Sequence, residues 1–187
     1  MLPKNDIEPA PGVLLIAGTA LQDSYFGRAV VLLCEHQDEG SFGLVLNHAM
    51  PISLDDVVNE LSWTAPLCCG GPVAENTLHF LHPHANLGIG SREVLPGIYW
   101  GGDFDALREK VMLGQVKPED LRFFLGYSGW SAGQLASEIS EDSWFMTPAN
   151  AENVFYEDSA NHWRHAFTGM GPAFAILGNF PDDPRLN

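Results

Sequence analysis

Residues 121–139, LRFFLGYSGWSAGQLASEI, carry an apolar strand pattern through a glycine-rich turn into an amphipathic helix. Apolar residues at 121, 123, 124 and 125 predict a buried strand and Gly126 and Gly129 its end, while Leu135 and Ile139 set the i, i+4 spacing of a helix face. Ser131 with Gln134 three residues later fits a capping box, in which side-chain oxygens satisfy the first unpaired backbone N–H groups, so the helix is expected to start near Ser131. Free N–H groups and the helix dipole at such a junction also favour an anion. Ser128, Gly129, Ser131 and Gly133 offer the donors, and Gln134 completes the candidate set.

The motif stops short of a reaction centre. No Walker lysine follows it, no G-x-G-x-x-G is present, and GYSGW places its second glycine one residue too early for the G-x-S-x-G nucleophile elbow. Ser128 has no assignable base. The turn therefore reads first as a fold determinant, with glycines serving a φ > 0 turn and close helix–sheet packing, and second as a ligand site.

Outward from this stretch, short apolar runs predict buried strands at 13–17, 29–34 and 42–46. The last two are joined by Gln37, Asp38, Glu39 and Gly40, a hairpin-length turn, and are expected to pair antiparallel. SLDDVVNEL at 53–61 reads as a helix, capped by Ser53 with Asp56 and presenting Leu54, Val57, Val58 and Leu61 on one face. Further strands are expected at 66–72, 77–81, 98–100 and 144–146. Asp103 should cap a helix over 104–113 with Gly114 past its end, Thr147 and Pro148 should open another, and a last helix is expected at 162–167, ending at Gly169. Residues 1–11, with three prolines and mixed charges, read as an extended arm, and 12–187 as one α+β or mixed α/β domain.

Charge narrows the function. Nine Lys and Arg against 24 Asp and Glu give a formal charge of −15, whereas non-specific DNA affinity rests on bases that neutralise phosphates, so direct nucleic-acid binding is not expected. Cys34, Cys68 and Cys69 are odd in number and two are adjacent, which allows no two-bridge framework and fits a reducing compartment. VLLIAGTAL at 13–21 has the length of a signal core, but Asp6 and Glu8 precede it against a single Lys4, and no apolar run approaches the roughly 20 residues of a bilayer span. A soluble, cytoplasmic protein without a membrane segment is expected. His79, His82 and His84 suggest a metal site, with His82 and His84 on one strand face, but neither Glu75 nor His36 can be placed as a third ligand, so no metal or cofactor is assigned. Glu35 and His36 end one strand and Asn47 and His48 the next; brought together at one end of the hairpin they would form a polar cluster, which reads first as side chains terminating the ladder by hydrogen bonds and second as an acid–base group.

Taken together, VLLCEHQDEGSFGLVLN at 31–47, CGGPV at 69–73, FLH at 80–82 and FLGYSGWSAGQLASEI at 124–139 resemble the AlgH/YqgE family, bacterial proteins of unsettled molecular function often labelled transcriptional regulators. His162, Trp163 and Arg164 followed by Ala166 and Phe167 look like that family's Trp-Arg helix. The chain departs from the pattern at His48 and Ala49, where the family usually has Arg-Pro, and at Ala136, where it usually has an acid. The resemblance implies a mixed α/β fold with a branched, partly barrel-like mixed β-sheet flanked by helices, and it brings no catalytic residue. It also implies a non-catalytic regulatory protein acting through a protein or small-ligand partner. The rival reading is a small-anion or metabolite binder, or an enzyme, whose pocket joins the 126–134 turn to Glu35, His36 and Asn47. A third is a scaffold that exposes aromatics such as Trp100 or Trp130 in an apolar patch.

Overall fold

A computed structural model describes residues 7–180. In chain order the elements are β1 (Val13–Ala17), β2 (Val30–Gln37), β3 (Gly40–Val45), β4 (Ala49–Ser53), α1 (Leu54–Val57), β5 (Pro66–Cys69), β6 (Val73–His82), β7 (Arg92–Leu95) and β8 (Ile98–Trp100). They continue with α2 (Phe104–Met112), β9 (Arg122–Ser131), α3 (Gln134–Ser140), β10 (Trp144–Pro148), α4 (Ala151–Val154), α5 (His162–Gly169) and α6 (Pro172–Ala175).

The strands form one sheet in the order β10-β1-β2-β3-β9-β6-β8-β7, with β5 branching from β9 and carrying β4. All pairings are antiparallel except β5 with β9. The sheet curls into a half-barrel. Its far strand β7 returns to the start of β1, where a Cβ on Gly12 would lie 3.0 Å from Leu95 Cβ, and Arg92 of β7 forms an ion pair with Glu35 of β2. The resemblance thus anticipated the mixed α/β architecture and its partly barrel-like sheet correctly.

Strand periodicity explains why the apolar runs are continuous. Side chains alternate between faces. In β1, Leu14 and Ile16 enter the layer inside the curl, while Val13, Leu15 and Ala17 enter a second layer outside it with Trp130, Leu135 and Trp144. A third layer lies under α2, where Phe123 of β9 meets Leu107 and Val111, while its neighbour Phe124 points inside the curl. Burial on both faces removes the polar alternation of a one-sided sheet. The hairpin of β2 and β3 forms as expected, with Gln37 opposite Gly40.

The opening stretch behaves differently from its expected pattern. The strand does not end at Gly126 or Gly129: β9 runs to Ser131, because residues 128–131 pair with residues 40–43 of β3. Gly126, at φ +69°, instead marks where the sheet branches. A Cβ on Gly70 would stand 2.3 Å from Gly126 O, and one on Gly71 2.3 Å from Tyr127 C. The CGGPV and GYSG segments therefore meet backbone to backbone, and glycine is required because a side chain would occupy a neighbour's peptide. The helix starts at Gln134, with Gly133 (φ +75°) as its N-cap instead of Ser131. One half of the capping box survives: Gln134 Oε1 accepts the Ser131 N–H at 3.0 Å.

Three other elements depart from expectation. The helix expected over 53–61 ends after one turn at Val57. Its capping box forms through Ser53 and Asp56, but Thr64 donates to Asp55 and Leu54 N–H donates to Ala65 O, so the chain doubles back into β5. Thr147 and Pro148 finish β10 in register with Leu14 and Val13, since ladder pairing outweighs the local capping signal; Asn150 caps the following helix. Strands β4 and β7 were not anticipated, because AMPIS and REVL lack a long apolar run.

Candidate functional site

A cleft of about 650 Å³ opens where the start of β9 meets β4, β5 and the chain following α4. Met50, Leu67, Phe123 and Phe155 supply apolar wall, and Pro66, Pro83 and Pro118 stiffen its border. Pro118 belongs to a single 3₁₀ turn, residues 118–120, that also places Glu119 and Asp120 on the cleft. Glu157 reaches it from the segment after α4.

Arg122, the first residue of β9, lies in this wall with its charge turned into the protein. Nη1 donates to Val154 O at 2.6 Å and to Tyr156 O at 3.4 Å, and Nη2 donates to Leu46 O at 2.6 Å. The guanidinium fork thus ties the α4 end and the post-α4 segment to the sheet, a geometry that an ammonium could not reproduce. Cys68 Sγ lies 3.8 Å from Nη2. Burial pushes the Cys68 thiol up and the Arg122 charge only partly opposes this, so the thiol stays protonated at neutral pH. Burial, with the Arg122 charge second and His165 third, pushes buried His162 down to about 4. At the border, His84 Nε2 stands 3.4 Å from Asp120 Oδ2. Among the described residues, no group of three or more His, Cys, Asp or Glu is placed to hold a metal ion.

None of the candidate ligand residues Glu35, His36, Asn47, Ser128, Gly129, Ser131, Gly133 and Gln134 lines this cleft. The convergence of Glu35, His36 and Asn47 does not occur. In an antiparallel hairpin the ends of successive strands lie at opposite ends, so Glu35 and His36 sit by the turn and Asn47 beside the start of β2. Glu35 pairs with Arg92, and His36 Nδ1 lies 2.7 Å from Ser41 Oγ. Asn47 Oδ1 accepts from Val30 N–H and Nδ2 donates to Arg28 O, both at 2.8 Å, a side chain acting as one more rung of the sheet. Ser128 is fully buried and donates to Gly70 O at 3.0 Å. Gly129 lies in β9 opposite Phe42. Ser131 and Gln134 bond each other, and Gln134 Nε2 passes the chain on to Glu138 Oε1 at 2.9 Å.

Glu138 was not singled out, although it completes that network by accepting the indole N–H groups of Trp130 (2.9 Å) and Trp144 (2.7 Å). Its signal was the spacing from Gln134, i, i+4 on one helix face. Arg122 was also missed; its signal was a lone cation in a strand of apolar residues. The scaffold reading placed Trp100 and Trp130 at the surface. Trp130 is buried, and half-buried Trp100 packs on Phe42, with ring centroids 4.5 Å apart.

Relatives agree with this architecture. No helix of the described residues is long and apolar enough to cross a membrane. The chain is similar to a UPF0301 protein of Chlorobium luteolum, 42% identical over 95% of both chains, and to one of Cytophaga hutchinsonii, 39% identical over 94% of this chain and 98% of the other. Among solved structures, a crystal structure of a Corynebacterium diphtheriae protein superposes with a TM-score of 0.81 at 24% identity, covering 95% of each chain. The solution structure of the AlgH protein from Pseudomonas aeruginosa gives 0.72 at 26% identity, over 95% of this chain and 98% of that one. The AlgH-like family model matches residues 14–175, which takes in the branch glycines, the Arg122 wall and α5 alike, and the chain belongs to the AlgH-like family.

Proposed function

We propose that this chain is a binding protein with a regulatory role, which takes a partner, a protein segment or a small ligand, into the cleft at the start of β9 and does not contact DNA. The observation that carries this reading is the division of labour in the cleft. The inner polar groups, Arg122 and Cys68, are committed to carbonyl oxygens of the chain itself, leaving apolar wall below and free polar groups at the border. A few convergent polar groups around an apolar concavity are the usual form of a binding site. The formal charge of −15 supports a partner other than nucleic acid, and three free thiols suit a reducing cytoplasm.

The test is to fill the cleft. Ala49 is exposed and lines it. Ala49→Trp is expected to abolish co-purification of the partner, read by mass spectrometry of proteins and small molecules, while thermal unfolding stays close to wild type. Undiminished capture by a folded Ala49→Trp protein would refute the assignment. Retention on duplex DNA that weakens steeply with salt would refute the exclusion of DNA.

A further inference from the structure

We infer that the cleft's occupant is a basic, partly apolar peptide segment of a partner protein; this rests on the cleft being the binding site. The lining residues carry three carboxylates, Glu119, Asp120 and Glu157, and one guanidinium. The three carboxylates outnumber that guanidinium, and its donors are directed to Leu46 O, Val154 O and Tyr156 O instead of pairing with them. Asp55 adds a fourth acid beside the cleft through its bond to the lining Thr64, and the Thr64 and Ser53 hydroxyls that donate to it hold its carboxyl below the usual range. His84 faces Asp120 but shares it at 3.4 Å.

The acids are mounted on separate segments: Glu119 and Asp120 on the 3₁₀ turn before β9, and Glu157 on the chain after α4. A peptide with lysines or arginines spaced along it can serve both, while its apolar residues cover Met50, Leu67 and Phe155 between them. The long alkyl stems of Lys and Arg suit such a surface, apolar along their length and charged at the tip. A chain of charge −15 repels a second copy of itself and attracts a cationic partner, with the attraction expressed chiefly in the association rate.

The proposal is tested with a short fluorescein-labelled peptide alternating lysine and leucine, against its glutamate–leucine counterpart, by fluorescence anisotropy at low and high salt. Glu119 and Glu157 are both exposed, so the Glu119→Gln/Glu157→Gln protein should fold normally. It is expected to raise Kd about tenfold, mainly through slower association, whereas Asp38→Asn/Glu39→Gln, equal in charge but on the β2–β3 turn, should leave Kd within about twofold. Equal loss in both variants, equal binding of the glutamate peptide, or displacement of the lysine peptide by spermidine at matching concentration would each overturn it. Should Ala49→Trp abolish partner capture while the lysine peptide fails to compete, the peptide proposal falls and the cleft reading stands. Capture that survives Ala49→Trp removes both.

Discussion

At Gly71 the space for a single methyl group decides whether the sheet can branch. Its φ is +150°, and a Cβ would meet Tyr127 C and O at 2.3 Å and Ser128 Oγ at 2.4 Å, mostly rigid backbone. Gly71→Ala is therefore expected to cost about 3–5 kcal/mol, combining overpacking with backbone strain. Gly133 has a positive φ of +75° but open space around it, so Gly133→Ala should cost only about 1–2 kcal/mol. Urea midpoints of the two variants separate the contributions, and equal losses would sink the branch-point account. Glu138 is the second decisive residue. Glu138→Ala leaves the Trp130 and Trp144 indole N–H groups without their acceptor in a buried layer, at an expected cost of about 2–4 kcal/mol, while Glu138→Gln, which keeps an acceptor, should lose less than half of that. Tryptophan fluorescence should shift in the first variant far more than in the second.

Among the elements, β9 has the most partners, pairing with β3, β5 and β6 at once. Its register was legible where periodicity ruled, at 123–125, and illegible at Gly126 and Gly129, because partner strands kept it extended through residues that locally favour a break. The same competition, ladder against local cap, moved Thr147 and Pro148 into β10. Arg122 shows how one side chain extends an element's reach, since it holds Val154 and Tyr156 some thirty residues downstream. Arg122→Met keeps the stem but removes the donors. It should destabilise by about 2–4 kcal/mol and speed amide exchange selectively over residues 154–160, a localisation that hydrogen-exchange mass spectrometry can read. Uniformly faster exchange across the sheet would show Arg122 to be ordinary core. By contrast the exposed Arg92–Glu35 pair across the half-barrel seam should be worth under about 1 kcal/mol in a double-mutant cycle.

For the molecule as a whole, stability should depend on pH through buried histidines. Burial pushes both His82 and His162 down to about 4, below the ordinary value of 6.5. Between about pH 6.5 and 4 the unfolded chain binds these protons and the folded chain does not, so stability present above pH 6.5 is lost as pH falls. Each histidine adds a slope of up to about 1.4 kcal/mol per pH unit. His48 and His79 are shifted the same way by burial, and Asp55 and Asp158, held low by hydrogen bonds, add loss of the same sign at lower pH. Urea midpoints measured across this window should fall, and His82→Gln with His162→Gln should flatten the profile; a flat wild-type curve would contradict the buried neutral state. Sequence by itself determined the strands of the core, the hairpin, the α2 cap and the family, because alternation, turn chemistry and capping act over a few neighbouring residues. Only the tertiary structure decided that the GYSG and CGGPV glycines face each other as a sheet branch, and that the cleft gathers Met50, Cys68, Arg122 and Glu157. Those juxtapositions join segments distant in the chain, and no local periodicity records which distant segment a strand will meet.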